Sequence, residues 1–500
     1  MICVSLARGR TSMMRAEHQK LADDGVGLVE LRLDWLTKPD VPRLLKDRPT
    51  PVVVTCRREE DGGKWRGDEG ARLTLLRTAI IEGAEYVDLE LDVAPKIPRY
   101  GDTKRVVSHH DFTGTPSDEA LAERHAVAAA ADADVIKLVT MATRPADNLQ
   151  TLGLMRRAAA AATPVPTVAF CMGPSGLVSR YLAGRNGAPW TYASFSGGRT
   201  LAPGMVSYEQ LRAWRYDAVG PDTRLFAVLG DPIAQSLSPA VHNAAIEDAG
   251  LDAAYVPILL PKDEFEEGVE TLAEVGFGGF SVTIPHKEAA LAWADSRDPA
   301  ATRIGAANTL VRGEDGKWTA SNTDLPAALS SLVDAMRTTD PAATLERKTA
   351  LVLGAGGVTR AVASGLMDAG AAVTICGRTA EKTAALAEEL GCVSVTWENR
   401  SARQYDIVVN GTPVGMHPEP DAAPLPENAV ADGAVVFDTI YNPENTLLLK
   451  RARARGAATV SGVEMFVRQA AAQFRAFHDV DPPVEVMREA FRRGISAVKR

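Results

Sequence analysis

Cysteine is scarce in this chain of 500 residues: there are five, and no two of them form a CxxC pair. Separated thiols in an odd number are typical of reduced cysteines, and they favour neither a disulfide framework nor a zinc site. Basic charge is not in excess, because the formal net charge is −9. We therefore expect no metal and no nucleic-acid partner.

Long apolar runs are also missing. No stretch approaches the ~20 residues that a membrane-spanning helix needs, so no association with a membrane is expected. The first ten residues, MICVSLARGR, place a short apolar run before the arginines, which reverses the order found in a signal peptide. These absences predict a soluble, cytoplasmic protein, and they carry no prediction of its oligomeric state.

What the chain does contain is a regular alternation of β-rich and helix-rich segments. In the first half the β-rich runs lie at 2–7, 28–35, 51–57, 86–91, 105–112, 134–140, 167–173 and 191–195. Eight runs with seven helical connectors and a final helix at 207–216 predict a (β/α)8 TIM barrel over residues 1–218. The count favours a barrel, because a doubly wound sheet rarely needs eight such units.

A second α/β pattern follows a short linker at 217–224. Its predicted strands lie at 225–230, 254–259, 278–285, 349–357, 372–378, 406–413 and 434–440, and the run at 349–357 enters a glycine-rich turn. An amphipathic helix is predicted at 462–478, with another after it. We expect an α/β substrate domain at 224–330, a Rossmann domain at 345–461, and C-terminal helices at 462–500 that return to the substrate domain.

Lys137 is the most informative residue of the first half. It lies inside an otherwise apolar strand, DVIKLVT, where an ammonium group is costly to bury. Desolvation and nearby cations favour the neutral amine of a lysine, and a neutral amine can attack a carbonyl to form a Schiff base. The alternative is a side chain that faces outward between helices and extends its charge into solvent.

His110 ends the preceding strand, in SHHDF, and an imidazole suits proton abstraction beside an iminium. A histidine that only packs or caps is the alternative. Arg32, Arg57 and Arg180 also lie near strand ends, and guanidinium groups match the geometry of a carboxylate. Each arginine could equally form a surface ion pair.

These residues stand in motifs that resemble a known family. ELRLDW, TCR, YVDLEL, SHHDF, DVIKLVT and GLVSR are similar to the type I 3-dehydroquinate dehydratases over roughly residues 1–216. The resemblance implies that Lys137 forms a Schiff base with the C3 ketone of 3-dehydroquinate. It also implies that His110 removes the C2 proton and assists loss of the C1 hydroxyl as water. The implied pocket residues are Glu30, Arg32, Arg57, Met172, Arg180 and Phe195.

The chain departs from that family in two places. The carboxylate that pairs with the histidine is usually a glutamate before Gly-Gly, and here Asp61 precedes Gly62-Gly63. The closing loop commonly reads SAPGQ, and residues 201–205 read LAPGM. Losing two polar contacts would cost about 1–3 kcal/mol, so we expect a weaker dehydratase or a loop that closes differently.

In the second half, the run LVLGAGGVTRAVASGL places Gly354, Ala355, Gly356 and Gly357 between a strand and a helix. That context suits a dinucleotide pyrophosphate at a helix N-terminus. The next strand ends in Arg378, where an acid would bind a ribose 2′-hydroxyl. An arginine suits a 2′-phosphate and favours NADP over NAD, with Lys382 adding charge, unless Arg378 is only a solvated helix start.

Lys287, in SVTIPHK, and Asp324, in NTD, are a possible acid–base pair. An ammonium group could donate to the oxygen as a hydride arrives, while a carboxylate orients it. The alternative is that Lys287 is simply a charged helix start. Their separation along the chain does not show whether the two side chains meet.

The motifs of the second half resemble those of the shikimate dehydrogenases. GDPIAQSLSPAVHN, FSVTIPHK, GAANT, NTD, LGAGG, NGTPVGM and GVEMFVRQAA occur in order over residues 225–478. The resemblance implies Lys287 and Asp324 for proton transfer, and it implies substrate contacts at Ser236, Ser238, Thr283, Asn308, Asp324, Tyr441 and Gln469. The cofactor contacts that we expect beyond the glycine turn are Arg378, Thr379, Lys382, Thr412, Pro413, Gly415, Met416, Gly462 and Met465. The usual Asn-Arg-Thr reads Gly377-Arg378-Thr379 here.

The two resemblances together predict a bifunctional enzyme similar to the plant-type fusions. It would dehydrate 3-dehydroquinate to 3-dehydroshikimate and reduce that product to shikimate with NADPH, so its partners are small-molecule substrates. One alternative is a quinate/shikimate dehydrogenase with a weak or inactive dehydratase module, since site polarity decides such choices. Another is a metabolite-sensing regulator that binds these ligands without turnover.

Overall fold

Eight strands in the first half of the chain form one parallel sheet, in the order β7-β6-β5-β4-β3-β2-β1-β8. They are β1 (Ile2–Leu6), β2 (Leu28–Arg32), β3 (Val52–Thr55), β4 (Tyr86–Glu90), β5 (Lys104–His110), β6 (Val135–Met141), β7 (Thr167–Met172) and β8 (Thr191–Ser194). Strand β1 pairs with both β2 and β8, so the sheet curves round towards a barrel. The computed structural model describes residues 1–198 and 200–496, and within them no ladder joins β7 to β8. The predicted TIM-like barrel is confirmed.

The strands are bridged on the outside of the sheet by helices. These are α1 (Thr11–Asp23), α2 (Val41–Leu45), α3 (Glu69–Ile81), α4 (Asp118–Ala130), α5 (Asp147–Ala159), α6 (Leu177–Tyr181) and α7 (Tyr208–Ala213). The prediction of seven helical connectors is wrong at one place, because β4 and β5 are joined only by a 3-10 turn at Ala94–Lys96. Pro95 and Pro98 lie in this connection, and proline removes the backbone donors that a longer helix needs.

The final helix of the barrel is shorter than predicted. Helix α7 covers six residues, and a 3-10 turn follows at Tyr216–Ala218. Ser207 starts α7 with a capping box, in which its side chain accepts from the backbone of Gln210 while the Gln210 side chain accepts from the backbone of Ser207. This reciprocal cap satisfies two of the backbone donors that a helix start leaves unpaired.

The second half begins with a mixed set of elements. They are β9 (Arg224–Gly230), α8 (Ser238–Asp248), β10 (Ala253–Leu259), α9 (Phe265–Glu274), β11 (Phe277–Val282), α10 (Lys287–Trp293), β12 (Ser296–Arg297), α11 (Pro299–Ile304), β13 (Thr309–Arg312), β14 (Trp318–Ser321) and α12 (Asp324–Arg337). Strands β9 and β10 pair in parallel. Strand β13 pairs antiparallel with β11 and with β14, and β12 pairs in parallel with β14.

The remaining elements form a doubly wound unit. They are β15 (Thr349–Leu353), α13 (Gly357–Asp368), β16 (Ala372–Cys376), α14 (Ala380–Leu390), β17 (Val393–Val395), β18 (Ile407–Asn410), β19 (Val435–Asp438), α15 (Leu447–Ala454), β20 (Ala458–Val460), α16 (Gly462–His478) and α17 (Val484–Ile495). The six strands are parallel in the order β17-β16-β15-β18-β19-β20. Numbered from β15, this order is 3-2-1-4-5-6, the Rossmann topology.

Apolar side chains from both faces of the Rossmann sheet are buried, as expected for a parallel sheet that helices cover on each side. Helix α16 packs against α12 and α17, and α17 packs against α8. The chain divides into two compact units, residues 1–234 with 252–277, and residues 235–251 with those from 278 onward. The four domain ranges predicted from the sequence stay a prediction. Over the described residues, no helix is both long enough and apolar enough to cross a bilayer.

Candidate active sites

A cavity of about 220 Å³ lies within the barrel. Eight side chains predicted from the sequence line it: Glu30, Arg32, Arg57, Asp61, His110, Lys137, Met172 and Arg180. Phe195 is not among the lining residues, and its ring lies 6.3 Å from that of Tyr208. The other lining residues are Ser5, Gly62, Phe112, Val139, Phe170, Tyr192, Leu201, Ala202, Pro203 and Met205.

Lys137 faces this cavity and is 5% exposed, so it is not an outward, solvated lysine. Its Nζ lies 3.2 Å from Oδ2 of Asp88 and 3.5 Å from Oε1 of Glu30. It also lies 4.0 Å from the centre of the Tyr192 ring. The sequence argument expected neighbouring cations, and the nearest charged groups are instead two carboxylates. Two anions beside the amine stabilise the positive charge of an iminium.

Asp88 lies among the polar residues at the strand ends, but the sequence predicted no role for it in the site. It is 1% exposed, and its carboxylate accepts from Ser108 Oγ at 2.6 Å and lies 2.7 Å from Nη2 of Arg57. Burial opposes its ionisation, but the cations of Arg57 and Lys137 outweigh burial and hold the pKa of this carboxyl well below its usual range. Asp88 is therefore a permanent anion next to Lys137. The signal for it was an acid within an apolar strand, YVDLEL.

Glu30 is the second carboxylate beside Lys137. Ser5 Oγ donates to it at 2.6 Å and Thr55 Oγ1 donates at 2.9 Å, so each carboxylate oxygen has a hydroxyl partner. Burial raises the pKa of Glu30, and the stronger combined influence of Lys137 and Arg32 lowers it overall. The bonds from β1 and β3 hold this anion on the inner face of β2.

His110 lies two residues beyond Ser108, which is in register with Lys137 on the adjacent strand. Burial, followed by the charges of Arg57 and Lys137, lowers the pKa of His110 well below its ordinary value. The imidazole is thus neutral at neutral pH and can accept a proton. Its buried Nδ1 has no hydrogen-bond partner in the part of the chain that the structure describes, and the ring stacks on Phe112 at 6.3 Å.

The three predicted arginines differ in their partners. Arg32 donates to both carboxylate oxygens of Asp34, at 2.9 and 2.8 Å. Arg57 pairs with Asp88 and lies 3.1 Å from Glu90. Both guanidinium groups are therefore already neutralised within the protein.

Arg180 is different, since no carboxylate forms an ion pair with it among residues 1–198 and 200–496. It is 1% exposed, donates to the backbone oxygen of Tyr192 at 3.0 Å, and lies 4.1 Å from the Phe170 ring centre. Burial lowers its pKa to about 10, which still leaves the group charged at pH 7. A buried cation without an anion, at the wall of a cavity, is suited to bind the carboxylate of a ligand.

The loop of residues 201–205 closes one side of the cavity. Leu201, Ala202, Pro203 and Met205 line it, and the backbone oxygen of Pro203 accepts from the nitrogen of Gly173 at 3.1 Å. Gly204 has φ +69°, and a side chain there would overlap the backbone of Gly173. The loop therefore docks closely on the end of β7 and presents apolar side chains to the cavity.

In the other half, the structure brings Lys287 and Asp324 together. Nζ of Lys287 donates to Oδ2 of Asp324 at 2.6 Å, and both side chains are partly buried. Each residue is the first of its helix, α10 or α12. A cation at a helix N-terminus is electrostatically unfavourable, so a simple capping role does not explain Lys287.

Asn308 links the two segments that carry this pair. Its Oδ1 accepts from the backbone nitrogen of Thr323 at 2.9 Å, and its Nδ2 donates to Thr323 Oγ1 at 3.0 Å. The nitrogen of Ala307 in turn donates to the oxygen of Lys287 at 2.8 Å. These bonds hold both helix starts in register. Gln473, which the sequence reasoning missed, donates to the oxygen of Asn308 at 3.0 Å and anchors α16 there.

The other predicted substrate contacts have varied surroundings. Ser238 and Gln469 are each 8% exposed, and Ser236 Oγ accepts from the backbone nitrogen of Ser238 at 3.3 Å. Thr283 is half-buried. Tyr441 is 47% exposed, with its ring 5.6 Å from that of Phe491. Their assembly into one substrate pocket stays a prediction.

The glycine turn leaves room for a ligand at the start of α13. Nothing lies within 4 Å of a Cβ placed on Gly356 or Gly357, and residues 355–358 are exposed. Gly354 has φ +122°, and a Cβ there would lie 2.6 Å from Thr359 Oγ1, so only glycine fits. The exposed backbone at this helix N-terminus suits a pyrophosphate.

Arg378, Thr379 and Lys382 are exposed at the end of β16 and the start of α14. Within the described residues, neither Arg378 nor Lys382 forms an ion pair with a carboxylate. Two cations without protein anions beside an open glycine turn fit a 2′-phosphate. A Cβ on Gly377 would lie 2.5 Å from Thr383 Oγ1, so a larger residue at this position requires the Thr383 side chain to shift.

The remaining predicted cofactor contacts lie at the ends of β18 and β20. Thr412 is buried and bonded to Asn410, while Pro413 and Met416 are exposed and Gly415 has φ +103°. Gly462 starts α16, where a Cβ would overlap the backbone oxygen of Thr439. Met465 is partly buried and packs against the Rossmann core.

Among the described residues, no group of three or more histidine, cysteine, aspartate or glutamate side chains is arranged so that it could hold a metal ion.

Comparison with known proteins covers both halves of the chain. Family profiles match type I 3-dehydroquinase over residues 2–217, the shikimate dehydrogenase substrate binding domain over 228–310, shikimate/quinate 5-dehydrogenase over 336–415, and the shikimate 5′-dehydrogenase C-terminal domain over 462–490. The chloroplastic bifunctional 3-dehydroquinate dehydratase/shikimate dehydrogenase of Arabidopsis thaliana is 36% identical over 508 residues, which cover 97% of this chain and 83% of the relative.

The chain belongs to the bifunctional 3-dehydroquinate dehydratase/shikimate dehydrogenase family. The NADP(+) shikimate dehydrogenase of Acidiphilium cryptum is 43% identical over 55% of this chain and 96% of its own. Among solved structures, shikimate 5-dehydrogenase from Thermus thermophilus, in complex with NADP(H) and shikimate, is 38% identical with a TM-score of 0.48 and covers 54% of this chain and 100% of its own.

Two departures distinguish this member of the bifunctional family. Asp61, expected to pair with the histidine, accepts from Arg58 Nε at 2.6 Å, and Nδ1 of His110 is left without a partner in the described chain. The carboxylate of this shorter side chain therefore pairs with the neighbouring Arg58 and not with His110. At the closing loop, Leu201 and Met205 stand where the family commonly has polar groups, and neither can donate a hydrogen bond to a substrate.

Proposed function

We propose that each half of this bifunctional enzyme performs one of two consecutive reactions with the residues described above. The barrel converts 3-dehydroquinate to 3-dehydroshikimate and water. The second half reduces the ketone of 3-dehydroshikimate to give shikimate. The observation that carries the first assignment is that one barrel cavity is lined by Lys137, His110 and the unpaired Arg180.

In the dehydratase site, Arg180 binds the substrate carboxylate and so fixes the ring relative to Lys137. The Lys137 amine adds to the C3 ketone and water is lost, which gives an iminium whose charge is balanced by Asp88 and Glu30. The neutral imidazole of His110 removes the C2 proton. The same imidazolium then protonates the departing C1 hydroxyl, and hydrolysis of the iminium releases the enone and the lysine.

Borohydride trapping tests the covalent step. With 3-dehydroquinate present, reduction should fix the substrate skeleton to one peptide, which contains Lys137 in the native enzyme. The Lys137→Ala variant should show no adduct, and Lys96→Ala, a change of an exposed barrel lysine, should label as the native enzyme does. An adduct on the Lys137→Ala variant would contradict the assignment.

In the reductase site, NADPH supplies the hydride when it is bound. Lys287 holds a proton at Nζ for the oxygen of the substrate ketone, and Asp324, 2.6 Å away, orients the ammonium group. Asn308 holds the starts of both helices, so this pair is already in place before substrate arrives. Arg378 and Lys382 receive the 2′-phosphate, and the backbone of residues 355–357 receives the pyrophosphate.

A coupled assay separates the two halves. 3-Dehydroquinate with NADPH should give shikimate in the native enzyme, and 3-dehydroshikimate with NADPH tests the second half alone. Lys287→Ala should lower reductase turnover by about 100-fold or more, in line with typical general acid–base contributions. If the native protein turns over neither 3-dehydroquinate nor 3-dehydroshikimate, the result would instead favour a ligand-sensing protein. Equal turnover of shikimate and quinate in the reverse direction would favour the broader quinate/shikimate dehydrogenase.

The cellular location also remains a proposal. The sequence predicts a cytoplasmic protein, whereas the Arabidopsis relative is described as chloroplastic. Fractionation of the source cells, followed by immunodetection of the full chain, distinguishes a cytoplasmic from an organellar location.

A further inference from the structure

A buried carboxylate lies outside both sets of predicted site residues. Asp438 ends β19 and is 0% exposed. Its Oδ1 accepts from Asn410 Nδ2 at 3.0 Å and from the backbone nitrogen of Ile440 at 3.1 Å, and its Oδ2 accepts from Thr446 Oγ1 at 2.7 Å. No cation pairs with Asp438 among the described residues. Three hydrogen bonds thus replace the water that this group loses on burial.

The first of these bonds leads to the turn after β18. Asn410 is also 0% exposed, and its Oδ1 accepts from both the backbone nitrogen and the hydroxyl of Thr412, at 3.0 and 2.7 Å. Its Nδ2 donates a second bond to the oxygen of Val414 at 3.2 Å. The amide of Asn410 therefore shapes the turn of residues 411–416, in which four cofactor contacts are predicted.

The second bond leads to the segment that follows β19, the strand that pairs with β18. The backbone nitrogen of Ile440 immediately precedes Tyr441, a predicted substrate contact, so the bond to Asp438 fixes where that segment leaves β19. The ring of Tyr441 lies beside Phe466 and Phe491, at 6.4 and 5.6 Å. The carboxylate of Asp438 thus bonds to the cofactor turn through Asn410 and to the substrate segment at Ile440, in addition to the backbone pairing of β18 with β19.

We propose that Asp438 is a positioning residue for hydride transfer, which it serves by tying the turn of residues 411–416, through Asn410, to the segment that begins at Ile440. The inference rests on the proposed reductase function of this half. Its physical basis is that a hydride moves only when donor and acceptor are aligned, and a misplacement of about 1 Å can cost on the order of 100-fold in rate. Burial also raises the pKa of Asp438 to about 6, as expected for a carboxyl group held without a cation.

The test compares two substitutions at one position. Asp438→Ala removes all three acceptor bonds, whereas Asp438→Asn keeps Oδ1 as acceptor from Asn410 and Ile440 and can donate its amide to Thr446. We expect kcat for 3-dehydroshikimate reduction to fall by about 10- to 100-fold in Asp438→Ala, with the Kd of NADP+ changed by less than about threefold. Asp438→Asn should remain within about threefold of the native kcat. Asp432→Asn, at an exposed aspartate before the same strand, serves as the matched control.

Two further measurements separate positioning from general instability. The primary isotope effect with 4-deuterated NADPH should rise in Asp438→Ala because hydride transfer becomes slower relative to product release. The Asn410→Ala variant should show the same signature, and the double variant should lose no more than the larger single loss, since both act through one network.

Each outcome decides the question. A kcat of Asp438→Ala within about twofold of the native value, or additive losses in the double variant, would overturn the inference while the reductase function stands. A parallel loss of kcat, NADP+ binding and the dehydratase activity would also overturn it, because that pattern is one of unfolding. Absence of NADPH-dependent turnover in the native enzyme would instead remove the proposed function on which it rests.

Discussion

Replacing Arg180 by methionine should make the barrel more stable and the dehydratase much weaker. The native guanidinium is 1% exposed and has one backbone hydrogen bond, and burial lowers its pKa from 12.5 to about 10. At 1.36 kcal/mol per pKa unit, keeping this buried group charged lowers the free energy of unfolding by roughly 3 kcal/mol. The lowered pKa is still above neutrality, so the whole cost is present at pH 7.

Methionine fills a similar volume without charge, but it loses the hydrogen bond to Tyr192, worth about 1 kcal/mol, and the contact of the guanidinium with the Phe170 ring, worth about 0.5–2 kcal/mol. The free energy of unfolding of the barrel should therefore rise by at most about 1.5 kcal/mol. Among the arginines that line the described cavity, Arg180 is the one without a carboxylate partner in the protein, so it is free to pair with the substrate carboxylate. Its removal should therefore cost about 2–5 kcal/mol of transition-state binding. That loss is at least about 30-fold in kcat/KM.

Hydrogen exchange of the β7 and β8 amides in the full-length protein measures the stability change, and the ultraviolet absorbance of the enone product measures dehydration. The matched control is Arg72→Met. Arg72 is buried like Arg180, but it pairs with Glu69 and Glu90, so its loss should destabilise the barrel by about 3–5 kcal/mol. If Arg180→Met lowers stability as Arg72→Met does, or leaves kcat/KM intact, the reasoning about an unpaired cation is wrong.

Four other outcomes test the sites. Dehydratase activity should persist at pH values below 6.5, because the pKa of His110 is lowered by burial and nearby cations; an acid limb in the rate profile at or above 6.5 would contradict this. Leu201→Ser combined with Met205→Gln should raise dehydratase kcat/KM by about 10-fold through restored polar contacts, while reductase kcat stays constant; no gain would show that the loop is not limiting. Arg378→Ala should raise the KM for NADPH about 10-fold or more and leave that for NADH nearly unchanged, and equal effects would place the phosphate elsewhere. Lys137→Ala should abolish dehydration and leave reduction of 3-dehydroshikimate unchanged, so a loss of both activities would mean a folding defect.

A stability measurement also follows from the carboxyl of Asp438. Its pKa in the folded protein is raised to about 6, above its unfolded value, so the folded state holds its proton more tightly. Stability of the Rossmann unit should therefore fall as pH rises from about 4 to about 6, and Asp438→Asn should remove this part of the pH dependence. An unchanged pH profile in the variant, measured by hydrogen exchange of β18 and β19, would contradict the assignment.

The eight strands of the barrel and four strands of the Rossmann sheet, β15, β16, β18 and β19, were predictable because parallel strands are buried on both faces and read as short apolar runs. Strands β17 and β20 of the same sheet were not predicted, because each has only three residues and most of these are exposed or partly exposed. Strands β13 and β14 were missed because they are four residues long and partly exposed, with sequences TLVR and WTAS. Their pairing depends on contacts across a turn rather than on an apolar run. The prolines between β4 and β5 indicated that no helix forms there. The expectation of one helical connector per pair of strands was nevertheless followed at this position.

The sites show a similar division. Lys137 was predictable, because a cation within an apolar strand is unusual in itself. The partner of that lysine was not, since Asp88 lies 49 residues away and only the barrel register brings the two within 3.2 Å. Likewise, Arg57 and Arg180 are chemically identical in the sequence. Only the positions of Asp88 and Glu90 reveal that the first is already neutralised and the second is not.

The contact between Gly204 and Gly173 restricts how this enzyme can change. Neither position tolerates a side chain without moving the backbone, since both have positive φ and Gly204 lies directly against Gly173. The path of the loop is thereby constant, while residues 201 and 205 on either side of it are free to differ. Exchanging the side chains at 201 and 205 would therefore change the lining of the cavity while the main chain of the loop keeps its path.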